Sequence, residues 1–144
     1  MTEKRTLASA RLVLDYVPDV PALELIGHAR CGVYYLFADG THAGAVSITS
    51  LSNTNAEIGY KIEPEFQGLG LASEAVAAVI ADVNDRHTFT ILSAIARASN
   101  EASRRVLEKA GFKRVSSKLC WNETGEVPSA IDRYRLDLPP PTET

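Results

Sequence analysis

The sequence predicts an α+β domain built on a mixed, mainly antiparallel sheet with flanking helices. Three observations carry this. Strand-like apolar runs outnumber helix-like ones along the chain. Two long segments, opening at Leu71 and near Asn100, carry a helical period instead. Asp39-Gly40 joins two strand-like runs as a two-residue turn, the strongest hairpin signal present. At 144 residues and 45% apolar, the chain can bury the core of one domain. That domain is assigned to residues 1–138, with a Pro-rich tail at 139–144.

Arg11 to Val17 alternates and is β-branched, a strand. Pro18-Asp19-Val20-Pro21 offers a helix start, and Ala22 to Ala29 allows about two turns. Val33–Phe37 and His42–Thr49 form the hairpin around Asp39-Gly40, and Ala56–Ile62 is the next strand. From Leu71 to Val83, the residues Leu71, Ala75, Val79 and Val83 repeat every four, joined by Val76 and Ile80, one face of an amphipathic helix. Thr88–Ala96 is mostly apolar, as in a strand buried on both faces. The next helix opens at Ser99 or Asn100 and closes at Gly111, with Ala102, Val106 and Ala110 inward. Lys113–Trp121 and Ile131–Leu138 are closing strands around a loop with Gly125 and Pro128. The strand–helix–strand passage from Ile58 to Leu92 should be a parallel, right-handed crossover.

Composition narrows the function classes. A net charge of −3 argues against a broad nucleic-acid footprint, so no nucleic-acid partner is expected. Cys31 and Cys120 give neither a disulfide framework nor metal-ligand spacing, and no metal is expected. No apolar run approaches membrane-spanning length, and Met1 to Arg5 leads into no signal-type apolar region. The expectation is a soluble cytoplasmic protein without a membrane partner.

The chemistry-bearing stretch is Gln67-Gly68-Leu69-Gly70-Leu71-Ala72-Ser73-Glu74-Ala75, between a strand and a helix. Two glycines two apart allow a tight turn with little bulk. The helix that follows begins with unpaired N–H groups and the positive end of its dipole. Such a turn can hold a phosphate or pyrophosphate by backbone alone. A phosphotransferase P-loop is excluded, since no Gly-Lys-Ser/Thr follows the glycines. Downstream stands a second block, Asn100 to Phe112, with Asn-x-x-Ser followed by Glu-Lys-x-Gly-Phe.

Gln67, Gly70 and Ala72, together with the block from Asn100 to Phe112, give the chain its resemblance to GNAT-superfamily N-acetyltransferases of the RimJ/RimL-type branch. The resemblance covers roughly residues 43 to 138. It implies the GNAT acyl-CoA N-acyltransferase-like fold, here with a shortened N-terminal helical segment. It also implies acetyl-CoA as cosubstrate and a primary amine as acceptor: a protein N-terminus, an amino acid or another small amine. Pyrophosphate would lie on the turn from Gln67 through Gly68, Leu69, Gly70, Leu71 and Ala72 to Ser73. Backbone groups of Tyr60, Lys61 and Ile62 would polarise the thioester and pair with the pantetheine arm, in a gap between splayed strands Glu57–Ile62 and Phe89–Ala96. Asn100 resembles the family asparagine that hydrogen-bonds pantetheine; a plain helix cap is its other reading.

An alkyl amine with a pKa near that of lysine, about 10.4, is neutral in only about one molecule per thousand at pH 7. Glu57 is the candidate general base, at the position where many family members carry a catalytic glutamate. Glu63 and Glu65 read as surface residues. Many relatives place a tyrosine seven after the asparagine, but Leu107 stands here and cannot donate a proton. Ser103 matches the serine of the RimJ/RimL-type pattern and could hydrogen-bond the departing thiolate; a helical serine bonding its own backbone is the alternative. Tyr34, Tyr35 and Tyr134 are further phenols without a placement. Cys120 reads as a core thiol, and His28, His42 and His87 have no ligand spacing. Arg104, Arg105, Lys109, Lys113 and Arg114 form a basic cluster, one member of which could reach the adenosine 3′-phosphate. The alternative to an enzyme is a noncatalytic CoA-binding or interaction module on the same fold. Only Pro18 to Cys31 is available to shape the acceptor side, which should be open or closed by a second subunit in a homodimer.

Overall fold

Among the described residues, eight strands form one sheet in the order β1-β2-β3-β4-β5-β6-β8-β7. The structure, a computed structural model, describes residues 4–21, 30–86, 89–121 and 128–139. The strands are β1 (Arg5–Ala8), β2 (Val13–Pro21), β3 (Arg30–Ala38), β4 (Thr41–Ser50), β5 (Asn55–Ile62), β6 (Ile91–Arg97), β7 (Lys113–Trp121) and β8 (Pro128–Asp137). Two helices, α1 (Leu71–Arg86) and α2 (Glu101–Lys109), follow β5 and β6. All neighbouring pairs are antiparallel except β5–β6, which is parallel. No described helix is long and apolar enough to cross a membrane.

The hairpin forms as its sequence requires. Asp39 and Gly40 both take positive φ, 49° and 78°, in a two-residue turn that closes the Ala38–Thr41 pair. Three expectations are corrected. Pro18–Pro21 does not start a helix but ends β2, with a register shift between Val17 and Val20. The β1 ladder ends at Tyr16, so among the described residues this stretch pairs with β3 alone, through Val20 and Pro21, and proline's missing N–H is tolerated there. β6 is not buried on both faces: Leu92, Ala94 and Ala96 are buried, whereas Ile95 is 51% exposed. α1 packs on β4 and β5, α2 packs on β6, and the helices touch each other, so both cover one face. The inward side of α2 is centred on Leu107 rather than on Ala102, which is exposed. The expected short helix at Ala22–Ala29, the loop with Gly125, His28, His87 and the tail from 140 lie outside the described residues. The side chain of Cys120 also falls outside them.

β1 was not expected from the sequence, and it has a clear task. Its Arg5 reaches the buried Asp82 of α1 through Nε at 3.0 Å and through Nη2. Tyr34 of β3 donates to the same carboxylate at 2.7 Å, and Arg86 donates to its other oxygen at 3.2 Å. The Arg5 guanidinium also lies 3.9 Å above the Tyr16 ring, a cation–π contact. Burial alone would raise the Asp82 pKa, but the bonds from Arg5 and Tyr34 outweigh it and the net direction is down. Burial and the bond to Asp82 push the Tyr34 phenol upward.

Removing Asp82 strands a largely buried guanidinium. Asp82→Ala should therefore destabilise the fold by about 3–5 kcal/mol at pH 7 in urea unfolding. Because the folded-state pKa is lowered, the contribution is complete above the ordinary carboxylate value of about 3.9. It is lost as pH falls below that value through the folded pKa. The stability gap between native protein and variant should narrow in acid.

Candidate active site

The parallel pair β5–β6 holds only over Asn55–Glu57 against Ile91–Ser93. Beyond Glu57, β5 continues to Ile62 paired with β4 alone. Among the described residues its other edge has no strand partner, the splay expected between Glu57–Ile62 and Phe89–Ala96. A groove of about 660 Å³ opens there. It is lined by Tyr60, Lys61 and Ile62, by the turn residues Gln67, Gly68, Gly70, Leu71, Ala72 and Ser73, and by Asn100 and Ser103. Ala102, Arg105 and Val106 complete the α2 wall. Among the expected cofactor residues, Leu69 alone is not in the lining; its side chain is exposed, and its carbonyl is used elsewhere.

Two left-handed glycines build the turn, Gly68 and Gly70, both at φ 78°. The first helical bond runs from the Glu74 N–H to the Gly70 carbonyl at 3.3 Å. The amides of Leu71, Ala72 and Ser73 therefore precede the intrahelical ladder and remain donors for an anion. Gln67 fastens the near side, its Nε2 donating to the Ile62 carbonyl at 3.0 Å. The far side is held by residues outside the motif. Arg11 Nη1 donates to the Leu69 carbonyl at 2.8 Å, and its Nε donates to Glu74 at 2.8 Å. The Ser9 hydroxyl and the Arg11 backbone N–H donate to the same carboxylate. Burial would raise the Glu74 pKa, but the bonds from Ser9 and Arg11 bring it down. No local pattern signals this brace, because an acid in the first turn of a helix is favourable without a side-chain partner.

Across the groove, the Asn100 side chain accepts from the Ser103 N–H at 3.0 Å, so its cap role is present. The Ser103 Oγ lies 2.8 Å from the Tyr60 hydroxyl, which also reaches the Ser103 carbonyl at 3.3 Å. Burial raises the Tyr60 pKa and the Ser103 bond lowers it, with the net direction upward. The phenol therefore stays protonated at neutral pH. Tyr60 was expected to contribute backbone; its side chain is the phenol that sequence reasoning missed. Period-two alternation could have found it, because it shares a face with the buried Ile58 and Ile62. Tyr34 is committed to Asp82, Tyr134 is buried in the core, and Leu107 is 1% exposed in that core.

Glu57 is not in the groove lining. It stands at the last paired position before the strands part, opposite Ser93. Alternation turns it away from the helix-covered face that buries Ile58. Its Oε1 lies 3.8 Å from Arg133 Nη1 of β8, with side chains 32% and 52% exposed. The basic residues near α2 separate. Arg105 lines the groove and pairs with Glu101 at 3.5 Å. Arg104 donates to the Ala98 carbonyl, and Arg114 lies 3.8 Å from the buried Asp132. His42 sits 3.8 Å from Glu63. Among the described residues, no group of three metal-ligating side chains is present.

Residues 8–113 match the family described as Acetyltransferase (GNAT) domain. Over 79 residues the chain is 35% identical to "Putative ribosomal N-acetyltransferase YdaF" of Bacillus subtilis (strain 168), a stretch covering 54% of this chain and 43% of that protein. The match thus spans less than half the length of that curated relative. A ribosomal L7/L12 α-N-protein acetyltransferase, RimL, in its apo crystal form I, superposes with TM-score 0.71 at 18% identity. That superposition covers 94% of this chain and 95% of the other. The same-named enzyme in complex with coenzyme A superposes with TM-score 0.68 at 22% identity, covering 75% and 62%. These solved structures share the fold, and the family match covers most of the sequence: the chain belongs to the GNAT acetyltransferase family.

Proposed function

We propose that the protein moves an acetyl group from acetyl-CoA to a primary amine by direct attack. The observation that carries this reading is the groove where β5 leaves β6, with a turn of free helix-start amides at one end and the Tyr60–Ser103 pair in its wall. The turn amides would hold pyrophosphate, and the free edge of β5 would hold the amide-rich pantetheine arm. Glu57 stands at the apex of the splay, on the opposite face, so the amine approaches from the side away from CoA. The relatives' printed names support a protein N-terminus as the acceptor class, with amino acids and small amines as the other candidates.

The reaction forms an N–C bond and breaks the C–S bond of the thioester. Glu57 takes the amine proton, directly or through water. Ser103 donates to the departing thiolate while Tyr60 donates to the Ser103 oxygen behind it, a two-hydroxyl relay that replaces the phenol absent at Leu107. Asn100 fixes the start of α2, and with it the position of Ser103.

Three measurements test this assignment. Gly70→Val should abolish or sharply weaken CoA binding by calorimetry. A Cβ there meets only Arg11 Nη2 at 3.4 Å, so the damage comes from forcing a β-branched residue to φ 78°. No CoA binding by the native protein would refute the assignment at its root.

Glu57→Gln should lower turnover by roughly 10²–10⁴-fold with acetyl-CoA affinity little changed. Undiminished turnover on an authentic acceptor would remove Glu57 as the base.

A hydrogen bond to a charged thiolate is worth about 1.5–3 kcal/mol. At about 1.36 kcal/mol per tenfold, Ser103→Ala should slow single-turnover acetyl transfer roughly 10- to 150-fold. Tyr60→Phe should slow it less, and the double variant should fall short of the product of the two single effects. A packing-only role for Ser103 predicts a change within a few fold.

A further inference from the structure

The face of the sheet turned away from the helices carries a concentration of cations around Glu57, in a chain whose net charge is −3. Strand register defines three rows, because directly opposed residues project to the same face. Glu57, Ser93, Arg135 and Lys113 form the first. Ile95, Arg133 and Ser116 form the second, and Arg97, Ile131 and Lys118 form the third. Every cation in these rows is exposed. Arg133 reaches across β6 toward Glu57 at 3.8 Å, and Arg135 pairs with Asp137 at 2.8 Å. Among the described residues, no ion pair engages Arg97, Lys113 or Lys118.

We propose that this face is the acceptor platform and that it takes a peptide N-terminus followed by acidic residues. The inference rests on the acetyl-transfer reading, in which the amine must reach Glu57. The charges dictate the rest. An incoming ammonium pairs with Glu57 and draws that carboxylate away from Arg133. A carboxylate one or two residues along the peptide then pairs with Arg133, so one ion pair is exchanged for two and no charge is left alone. A basic segment in the same place would set like charges against Arg133, Arg135 and Arg97.

Length agrees with charge. From β5 across β6 and β8 to β7 is three strand spacings, about 14 Å. An extended peptide covers that in roughly four residues. Acidic side chains at positions two to five therefore fall over the arginine and lysine rows. Ile95, 51% exposed between them, offers apolar contact to the peptide's aliphatic carbons.

The test is fluorescence anisotropy of labelled pentapeptides against the full chain with CoA present. One peptide carries Glu at positions two to five; its counterparts carry Gln or Lys there. Exposed ion pairs are individually weak, so several must act together to give the glutamate peptide about tenfold tighter binding than the glutamine one. The lysine peptide should bind weakest, and the preference should vanish in high salt. The double variant Arg97→Gln/Arg135→Gln should cut the preference severalfold, leaving the part supplied by Arg133 and the lysines. Lys118→Gln, a milder change on an edge strand, should reduce the preference in part. Equal affinity for glutamate and glutamine peptides, or a preference undiminished in the double variant, overturns the platform. Acetylation of the same peptides is followed in parallel. Selective binding without acetylation supports the platform and overturns the acetyl-transfer reading. Acetylation of both peptides with equal KM does the reverse.

Discussion

The site depends on a strand pair that does not finish. β5 and β6 run parallel for three residue pairs and then part. A parallel ladder abandoned midway leaves backbone donors and acceptors on the free edge of β5, and such groups are costly to bury unpaired. In a sheet of this size they would ordinarily be covered by another strand. Here they face a groove whose other wall is a helix, so an amide-bearing chain entering it would complete the interrupted ladder. The same divergence brings Tyr60 against Ser103 on one face and leaves Glu57 at the apex on the other.

The groove must keep its shape without its ligand, and the N-terminal hairpin provides for that. Its connecting residues Ser9 and Arg11 hold the first turn of α1 through Glu74 and Leu69. Its first strand holds the last turns through Arg5 and Asp82. α1 is thus gripped from one hairpin at two points, eight residues apart on the helix, Glu74 and Asp82. A helix pinned twice cannot pivot away from the turn it supports. The glycine turn is therefore braced by residues more than fifty positions upstream of it.

Much of this was readable in the sequence, and the exceptions share a cause. The hairpin at Asp39-Gly40, the glycine turn, the amphipathic period of α1 and the serine after Asn100 are local signals, and the elements they mark are present. β1 was illegible because Arg5-Thr6-Leu7-Ala8 has little strand character of its own; its reason to exist is Asp82, far along the chain. Asp82 itself falls on the inward side of α1, where pattern reading expects apolar residues, and only its partners from β1 and β3 explain it. β6 read as doubly buried because Ile91, Leu92, Ala94, Ile95 and Ala96 are all small or apolar. Composition cannot say that both helices lie on the same side. Tyr60 was legible as a phenol on the helix side of β5, but its meeting with Ser103 depends on the docking of α2.

The outer edge of β7 also bears on the solution behaviour of the chain. A nine-residue strand at the end of a sheet, with Val115 54% and Leu119 72% exposed, is a template for unwanted pairing between molecules. Lys113, Arg114 and Lys118, together with the register shift between Arg114 and Ser116, are the features that blunt such an edge. Two of those cations also belong to the rows proposed to read an acidic acceptor. Selection for a neutral acceptor would then strip the edge of its protection, tying recognition to colloidal solubility. A lineage that abandoned acidic acceptors would need to recharge, shorten or cover this strand to remain dispersed.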